Sequence, residues 1–382
     1  MVIKKSIVLV LALGLMVGLS TTGCDAIKNM INPTTSSSSK AAENSKSSSK
    51  SNPTSRSIYE GDSSAIDINF LELGNKYTGD STFIKAGNVD ILIDAGSRQN
   101  SSTTIANFID GYCTDGILEY VIATHAHQDH IAGFVGSNKD EGIFKRYKID
   151  TLIDFSQTTA TSSIYNNYVS LRDEKIASGD IARHYTALDC VEGTNGAKKV
   201  FELGEGLTME VLDQKYYHEV DKNDENNHSV CTLFTQGNNN YLFTGDLEKE
   251  GEKSLVELNN LPEVELFKGG HHGSYTANTD TLLSVIKPKT VCVCCCAGSD
   301  EYTKTPENMF PAQDAINRIA KYTDKVYVTT VVSDDDKGYK SLNGNINFHC
   351  DNGKDYVVTG SSNSVILKDT DWFKANRTWP TY

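Results

Sequence analysis

The amino-acid sequence predicts an α+β protein in four layers, two β-sheets face to face with helices on both outer sides, an αββα sandwich. Three observations lead there. Short runs with period-two alternation open the globular part, and similar runs resume after residue 200. Segments of helical period lie between and after them. A sheet with one apolar face and a helix with one apolar stripe must each bury it, and two strand-rich halves with intervening helices do so as a sandwich whose site lies at one edge of the sheets.

The first 56 of the 382 residues belong outside that domain. Lys4-Lys5, the apolar run Ile7 to Leu19 and then Thr22-Gly23-Cys24 have the charged, hydrophobic and small-residue regions of a secretory signal, residues 1–23. Gly-Cys at its end resembles a bacterial lipobox, which implies lipidation of Cys24 and an extracytoplasmic, membrane-anchored protein. Residues 24–56 are rich in Ser, Lys, Asn and Thr and have too little apolar surface to offset the entropy of ordering, so they read as a disordered tether. The domain is expected at 57–360 and a C-terminal tail at 361–382. The first 56 residues hold seven Lys/Arg and two Asp/Glu, so the remainder of a chain of formal charge −14 carries −19. That charge disfavours a stable complex with nucleic acid or an anionic membrane surface, and no feature calls for an obligate protein partner.

Along the domain, Ile66, Ile68 and Phe70 alternate with polar residues, and 81–86 and 89–93 repeat the pattern across Gly79-Asp80 and Gly87-Asn88 turns, a β-meander that ends at Asp94-Ala95-Gly96. Ile105, Phe108 and Ile109 mark a helix over 101–112, and Ile164, Tyr168, Leu171 and Ile176 mark another. Strands resume at 200–203, 207–212, 229–235 and 241–243, followed by helices at 248–258 and 312–322. Four cysteines fall within Cys292 to Cys296 of an apolar run. Strand neighbours face opposite sides and fit disulfide geometry poorly, so these read as structural thiols in a buried strand. Free thiols outside the cytoplasm suit an oxygen-poor habitat.

The chemistry is concentrated in Thr124-His125-Ala126-His127-Gln128-Asp129-His130, directly after the apolar run 118–123. Neutral imidazole and carboxylate are ligands a borderline cation accepts. His125 and His127, two apart in extended chain, point the same way, while Asp129 and His130 can turn back from the start of a helix toward a second ion.

HAHQDH followed by Ile131-Ala132-Gly133 resembles the HxHxDH signature of the metallo-β-lactamase superfamily. The resemblance implies two divalent metal ions, zinc or manganese, held by His125, His127, Asp129, His130, Asp246 and His272, with Asp246 of Thr244-Gly245-Asp246 between the ions. It implies that Asp94 orients the ligand loop without coordinating. Of the pair His271-His272, the His-Gly ending assigns His272 to metal and His271 to substrate contact or proton transfer, with exchange of the two left open; Asp129 and His271 are the catalytic residues. Phe70-Leu71-Glu72-Leu73-Gly74, Gly79-Asp80-Ser81, Asn226-Asn227-His228-Ser229-Val230, Thr244-Gly245-Asp246 and His271-His272-Gly273-Ser274 fall in the order seen in the hydrolase domain of ComEC-type competence proteins. Lys304-Thr305-Pro306 stands where such proteins carry His-Pro. His228 is open between metal ligand, substrate contact and strand-edge placement. Lys268, Ser274 and Asn227 are candidate substrate contacts.

A two-metal centre suits phosphoester hydrolysis, so the expected function is a metal-dependent phosphodiesterase acting on nucleic acid or a phosphorylated cell-envelope group. The competing readings are a lactone or β-lactam hydrolase, for which the usual third histidine context is missing, and a metal-stabilised binding protein that uses Trp372 and Trp379 to grip a glycan.

Overall fold

The computed structural model describes residues 64–335 and 337–382. Cys24, the signal and the tether lie outside the described residues. The opening alternation becomes a meander of β1 (Ala65–Phe70), β2 (Thr82–Ala86) and β3 (Val89–Ile93), with Ile66 opposite Ala86 and Thr82 opposite Ile93. The apolar run before HAHQDH becomes β4 (Ile117–Ile122), and two strands that the alternation did not mark, β5 (Lys148–Asp154) and β6 (Ile181–Thr186), add to it in parallel. The second sheet begins with an antiparallel run, β7 (Val200–Gly204), β8 (Leu207–Val211), β9 (Thr232–Gln236) and β10 (Asn239–Phe243). Parallel strands β11 (Leu266–Lys268), β12 (Val291–Ala297) and β13 (Val326–Val332) follow, and β14 (Tyr339–Ser341) closes its edge. The chain then returns to the first sheet as β15 (Ile346–Asp351) and β16 (Tyr356–Gly360), placing Cys350 opposite Ile66. Each sheet has eight strands, ordered β16-β15-β1-β2-β3-β4-β5-β6 and β14-β13-β12-β11-β10-β9-β8-β7.

Helices α1 (Ser101–Ile109), α2 (Gln128–Val135), α3 (Ile143–Arg146), α4 (Ser163–Ser178) and α5 (Ala187–Glu192) connect strands of the first sheet or lead out of it. Along the second sheet come α6 (Lys215–His218), α7 (Lys249–Leu258), α8 (Asp280–Ile286), α9 (Gln313–Ile319) and α10 (Asp371–Asn376). The main core runs between the sheets and under the first helical layer; a second core lies between the second sheet and α7, α8 and α9. Strand β12 shows why the cysteine-rich run is apolar throughout. Cys292 and Cys294 face the inter-sheet core while Val291, Val293 and Cys295 face the helices, so both faces are buried. All eight described cysteines are buried free thiols.

Two expectations change. Helix α1 stops at Ile109, since Asp110 caps it and Gly111 and Tyr112 turn back onto Phe108 and Ile109. Residues 361–382 do not trail off as a tail: Leu367 and Phe373 are buried in the second core. Among the described residues no helix is long and apolar enough to cross a membrane.

Candidate metal centre

Because β3, β4, β10, β11 and β12 run the same way within their sheets, their C-terminal ends deliver the loops that carry Asp94, His125, Asp246, His272 and the segment after Ala297 to one edge of the sandwich. Strand β4 ends at Ile122, and α2 begins at Gln128 with His127 as its extended N-cap, so Asp129 lies in the first helical turn. A carboxylate is favoured there by the helix dipole. Gly133 lets this helix sit against the loop after β3: its N–H donates to Ala95 O at 2.7 Å, and a Cβ there would lie 2.3 Å from that oxygen.

The imidazoles converge as pairs. His125 Nε2 lies 3.0 Å from His127 Nδ1, two ring nitrogens of adjacent ligand-type residues meeting at one point. On the other side of Asp246, its Oδ2 lies 3.0 Å from His130 Nε2 and 3.1 Å from His272 Nε2, and Asp129 Oδ2 lies 3.3 Å from His272 Nε2. Ligand-type atoms of Asp80, His130, Asp246 and His272, all buried, lie within 4.8 Å of one another. Despite burial, neither His272 Nε2 nor Asp246 Oδ1 makes a well-directed hydrogen bond, although His272 Nε2 lies close to the Asp246 and Asp129 carboxylates. Buried polar groups left so are costly unless something else satisfies them, and a cation held by imidazole and carboxylate would do so. The donor set therefore fits a metal.

The surroundings fix the ring orientations. Asp94 accepts from Thr124 N and Thr124 Oγ1, each at 2.8 Å, and its Oδ2 lies 2.8 Å from His130 Nδ1, which leaves Nε2 toward Asp246. His272 Nδ1 faces Cys294 O at 2.9 Å and Asp80 Oδ1 at 3.3 Å. Such partners determine tautomer and ring direction at metal sites. The backbone at His271 and His272 is left-handed, φ 46° and 53°, as is Asp94 at 59°. Non-glycine residues there store roughly 1–3 kcal/mol each, and their clustering at one edge marks a functional turn.

Electrostatics follow the same grouping. Burial opposes ionisation of Asp246, and His130, His272 and His271 overcome it, holding the carboxyl well below its ordinary range. Burial also opposes charge on His130 and His272, but Asp246 with Asp94, and Asp246 with Asp80, raise them well above an ordinary histidine. Burial, then His130 and His127, lower His125, which stays neutral as a ligand must be.

Several residues singled out in the sequence lie elsewhere. His228 is buried outside this group: its Nε2 accepts from Asp221 N at 3.0 Å and its Nδ1 lies 3.3 Å from Glu225 Oε2. Asn227 bridges Asp221 Oδ2 and Glu248 N, and Ser274 Oγ pairs with Thr276 Oγ1 at 2.8 Å. Lys268 is buried with its ammonium on Asp80, 3.2 Å from Gly245 O and 3.7 Å from Asp246 Oδ1. Lys268 thus braces Asp80 and Asp246 from within, while Asn227 and Ser274 bond to Asp221, Glu248 and Thr276. His271 is half-buried beside the cleft, its Nδ1 3.0 Å from Glu248 Oε1 and its Nε2 3.9 Å from Asp246 Oδ2. Asp80, Glu248 and Tyr302 were not read from the sequence as site residues. The Gly79-Asp80-Ser81 motif was the available signal for Asp80; Glu248 and Tyr302 had none. Over the centre opens a cavity of about 530 Å³ bordered by Arg98, His127, Asp129, Asp246, His271 and Tyr302. A larger one, about 660 Å³, lies beside Trp372 and has no imidazole in its lining, while Trp379 packs on Phe373 with ring centroids 5.9 Å apart.

Two mixed sheets lie between helical layers with a His/Asp centre at one edge, and residues 199–297, which include Asp246 and His272, match the family model of the metallo-beta-lactamase superfamily. Two relatives of the ComEC type are similar to this chain over part of their length. It is 26% identical over 257 residues to ComE operon protein 3 of Bacillus subtilis, covering 62% of this chain and 29% of that protein. It is 28% identical over 127 residues to Recombination protein 2 of Haemophilus influenzae, covering 33% of this chain and 15% of that protein. The chain thus spans less than a third of either relative's length. Among solved structures it is similar to the metallo-β-lactamase fold protein YhfI from Bacillus subtilis, with 10% identity, a TM-score of 0.41, and coverage of 72% of this chain and 98% of that one.

Proposed function

We propose that this chain is a metal-dependent phosphodiesterase, held outside the cytoplasm by a lipid on Cys24. The observation that carries the catalytic reading is the Asp246 carboxylate, buried within 3.1 Å of the Nε2 atoms of both His130 and His272 and opening onto a cleft. His125, His127 and Asp246 would hold one divalent cation, zinc or manganese, and Asp129, His130, Asp246 and His272 the second. Two such cations lower the pKa of a water and neutralise charge on both oxygens of an in-line displacement. The protein's own part is orientation and proton movement. Asp94 keeps the His130 Nε2 lone pair toward the centre, Glu248 holds His271 by Nδ1, and His271 Nε2 supplies a proton to the leaving oxygen. Arg98 is the single Lys or Arg among the described residues lining the cleft, and Glu301 already pairs with it. That supports a small phosphodiester over a stable nucleic-acid complex, since polymer binding relies on several phosphate contacts.

The test is turnover by the purified, metal-loaded full chain on bis-p-nitrophenyl phosphate, a phosphocholine ester and a cephalosporin. Phosphodiester hydrolysis that Asp246→Asn lowers far more in kcat than in KM supports the reading. Hydrolysis of the cephalosporin alone moves the assignment to the lactam branch, and no turnover with both cations bound makes the protein a binder.

A further inference from the structure

The segment after β12 crosses from the second sheet to the first. It leaves at Gly298, whose N–H donates to Phe310 O at 2.9 Å, and it is pinned at its far end by Ala312 N donating to Gly273 O at 2.8 Å. Between these points Glu301 reaches the first-sheet side: one carboxylate oxygen accepts from Thr78 N at 2.9 Å and the other pairs with the Arg98 guanidinium. Arg98 is itself fixed, donating to Ser97 O at 2.7 Å and stacked 4.0 Å over the Tyr77 ring. The next residue, Tyr302, has 52% of its surface exposed, yet its hydroxyl points inward and donates to Asp129 Oδ2 at 2.7 Å. The ring leans on Phe310 at 5.6 Å, and Phe310 touches both His271 and His272. Burial of the ring does not explain this placement. Holding an exposed side chain in one rotamer costs entropy, and what it obtains is a bond to a carboxylate that already faces His272 Nε2 at 3.3 Å.

We infer that Tyr302 is a positioning residue of the metal centre: its phenol fixes the Asp129 carboxylate in the orientation that faces His130, Asp246 and His272, and the Glu301–Arg98 ion pair holds the strap that carries it. This rests on the metal reading above, not on the phosphodiester reading. The tyrosine is half exposed, whereas Asp94, Asp80 and Thr124, which orient the other ligands, are buried.

The test uses the full chain, freed of metal with a chelator and titrated with cobalt and with zinc against a chromophoric competitor. Tyr302→Phe keeps the ring on Phe310 and removes only the hydroxyl. It is expected to weaken the more weakly held cation by about ten- to a hundredfold and to change the visible spectrum of the cobalt form, as loss of a ligand's outer hydrogen bond does. Glu301→Gln should weaken the same cation by a smaller factor. Affinities within about twofold of wild type and an unchanged cobalt spectrum for Tyr302→Phe would overturn the inference. So would a folded wild type that takes up no cation. An effect of Tyr302→Phe without any effect of Glu301→Gln keeps the tyrosine and removes the strap. Normal metal binding with the expected Tyr302→Phe loss but no phosphodiester turnover leaves this inference standing and removes the proposed activity.

Discussion

Asp94→Asn separates a ligand-orienting carboxylate from a merely structural one. The residue has φ 59°, and asparagine tolerates left-handed backbone as well as aspartate, so the substitution leaves the turn intact where alanine would confound it. One amide oxygen can still accept from Thr124 N. The amide nitrogen then faces Thr124 Oγ1 and His130 Nδ1, both of which had been 2.8 Å from a carboxylate oxygen. The hydroxyl can rotate to accept. The imidazole can keep a bond only by accepting at Nδ1, which moves its proton to Nε2, the atom 3.0 Å from Asp246 that the cation needs. Without metal the loss is that of charge-assisted hydrogen bonds at a buried site, about 1–3 kcal/mol. With metal there is an added loss of roughly ten- to a hundredfold in affinity, about 1.4–2.8 kcal/mol, that appears directly in stability because the cation binds the folded state. Urea unfolding followed by tryptophan fluorescence, in chelator and in excess zinc, reads both numbers. If zinc stabilises Asp94→Asn as much as wild type, to within about 0.5 kcal/mol, then Asp94 braces the loop and does not set the His130 tautomer.

Two further outcomes are expected. Burial pushes Glu252 on α7 up to about 7 from 4.5, although Asn278 N and both donors of Thr279 bond its carboxyl. The unfolded chain therefore ionises this group first, so its contribution is present below pH 4.5 and is lost as pH rises to about 7, a change of about 3 kcal/mol. The difference in unfolding free energy between wild type and Glu252→Gln should move against wild type over that window and level off above it; a flat difference refutes the buried-carboxyl account. For the anchor, growth with a labelled fatty acid should mark wild type and not Cys24→Ala, and labelling of both or neither removes the lipid from the proposal.

The parts of this molecule that could be read along the chain are those whose chemistry is local. HAHQDH declares itself because ligand types recur at short spacing after an apolar strand, and Asp246 and His272 because each follows a strand that runs into glycine. The four-layer fold was legible for the same reason: alternation and helical period are short-range signals. Asp80 was not, because an aspartate after glycine looks like any turn residue until the fold buries it to 2% exposure beside Lys268. The roles of Lys268 and Asn227 failed in the opposite sense. Their polar groups suit substrate, but the tertiary structure turns them onto Asp80, Asp221 and Glu248. His228 sits in a motif next to a strand, and nothing in Asn-Asn-His-Ser says that its ring will face Asp221 N and Glu225. Pairing across long separations was equally silent: no local pattern says that residues near 350 return to lie beside residues near 66.

The pairing of the first three strands also separates the two ends of β1. Strand β1 runs in the same direction as β3, being antiparallel to β2 as β2 is to β3, so Phe70 lies at the edge that carries the metal centre and Ala65 at the far edge. Six residues of strand put roughly 17–20 Å between those ends. Ser64, next to the start of β1, therefore lies on the side of the domain away from the cleft.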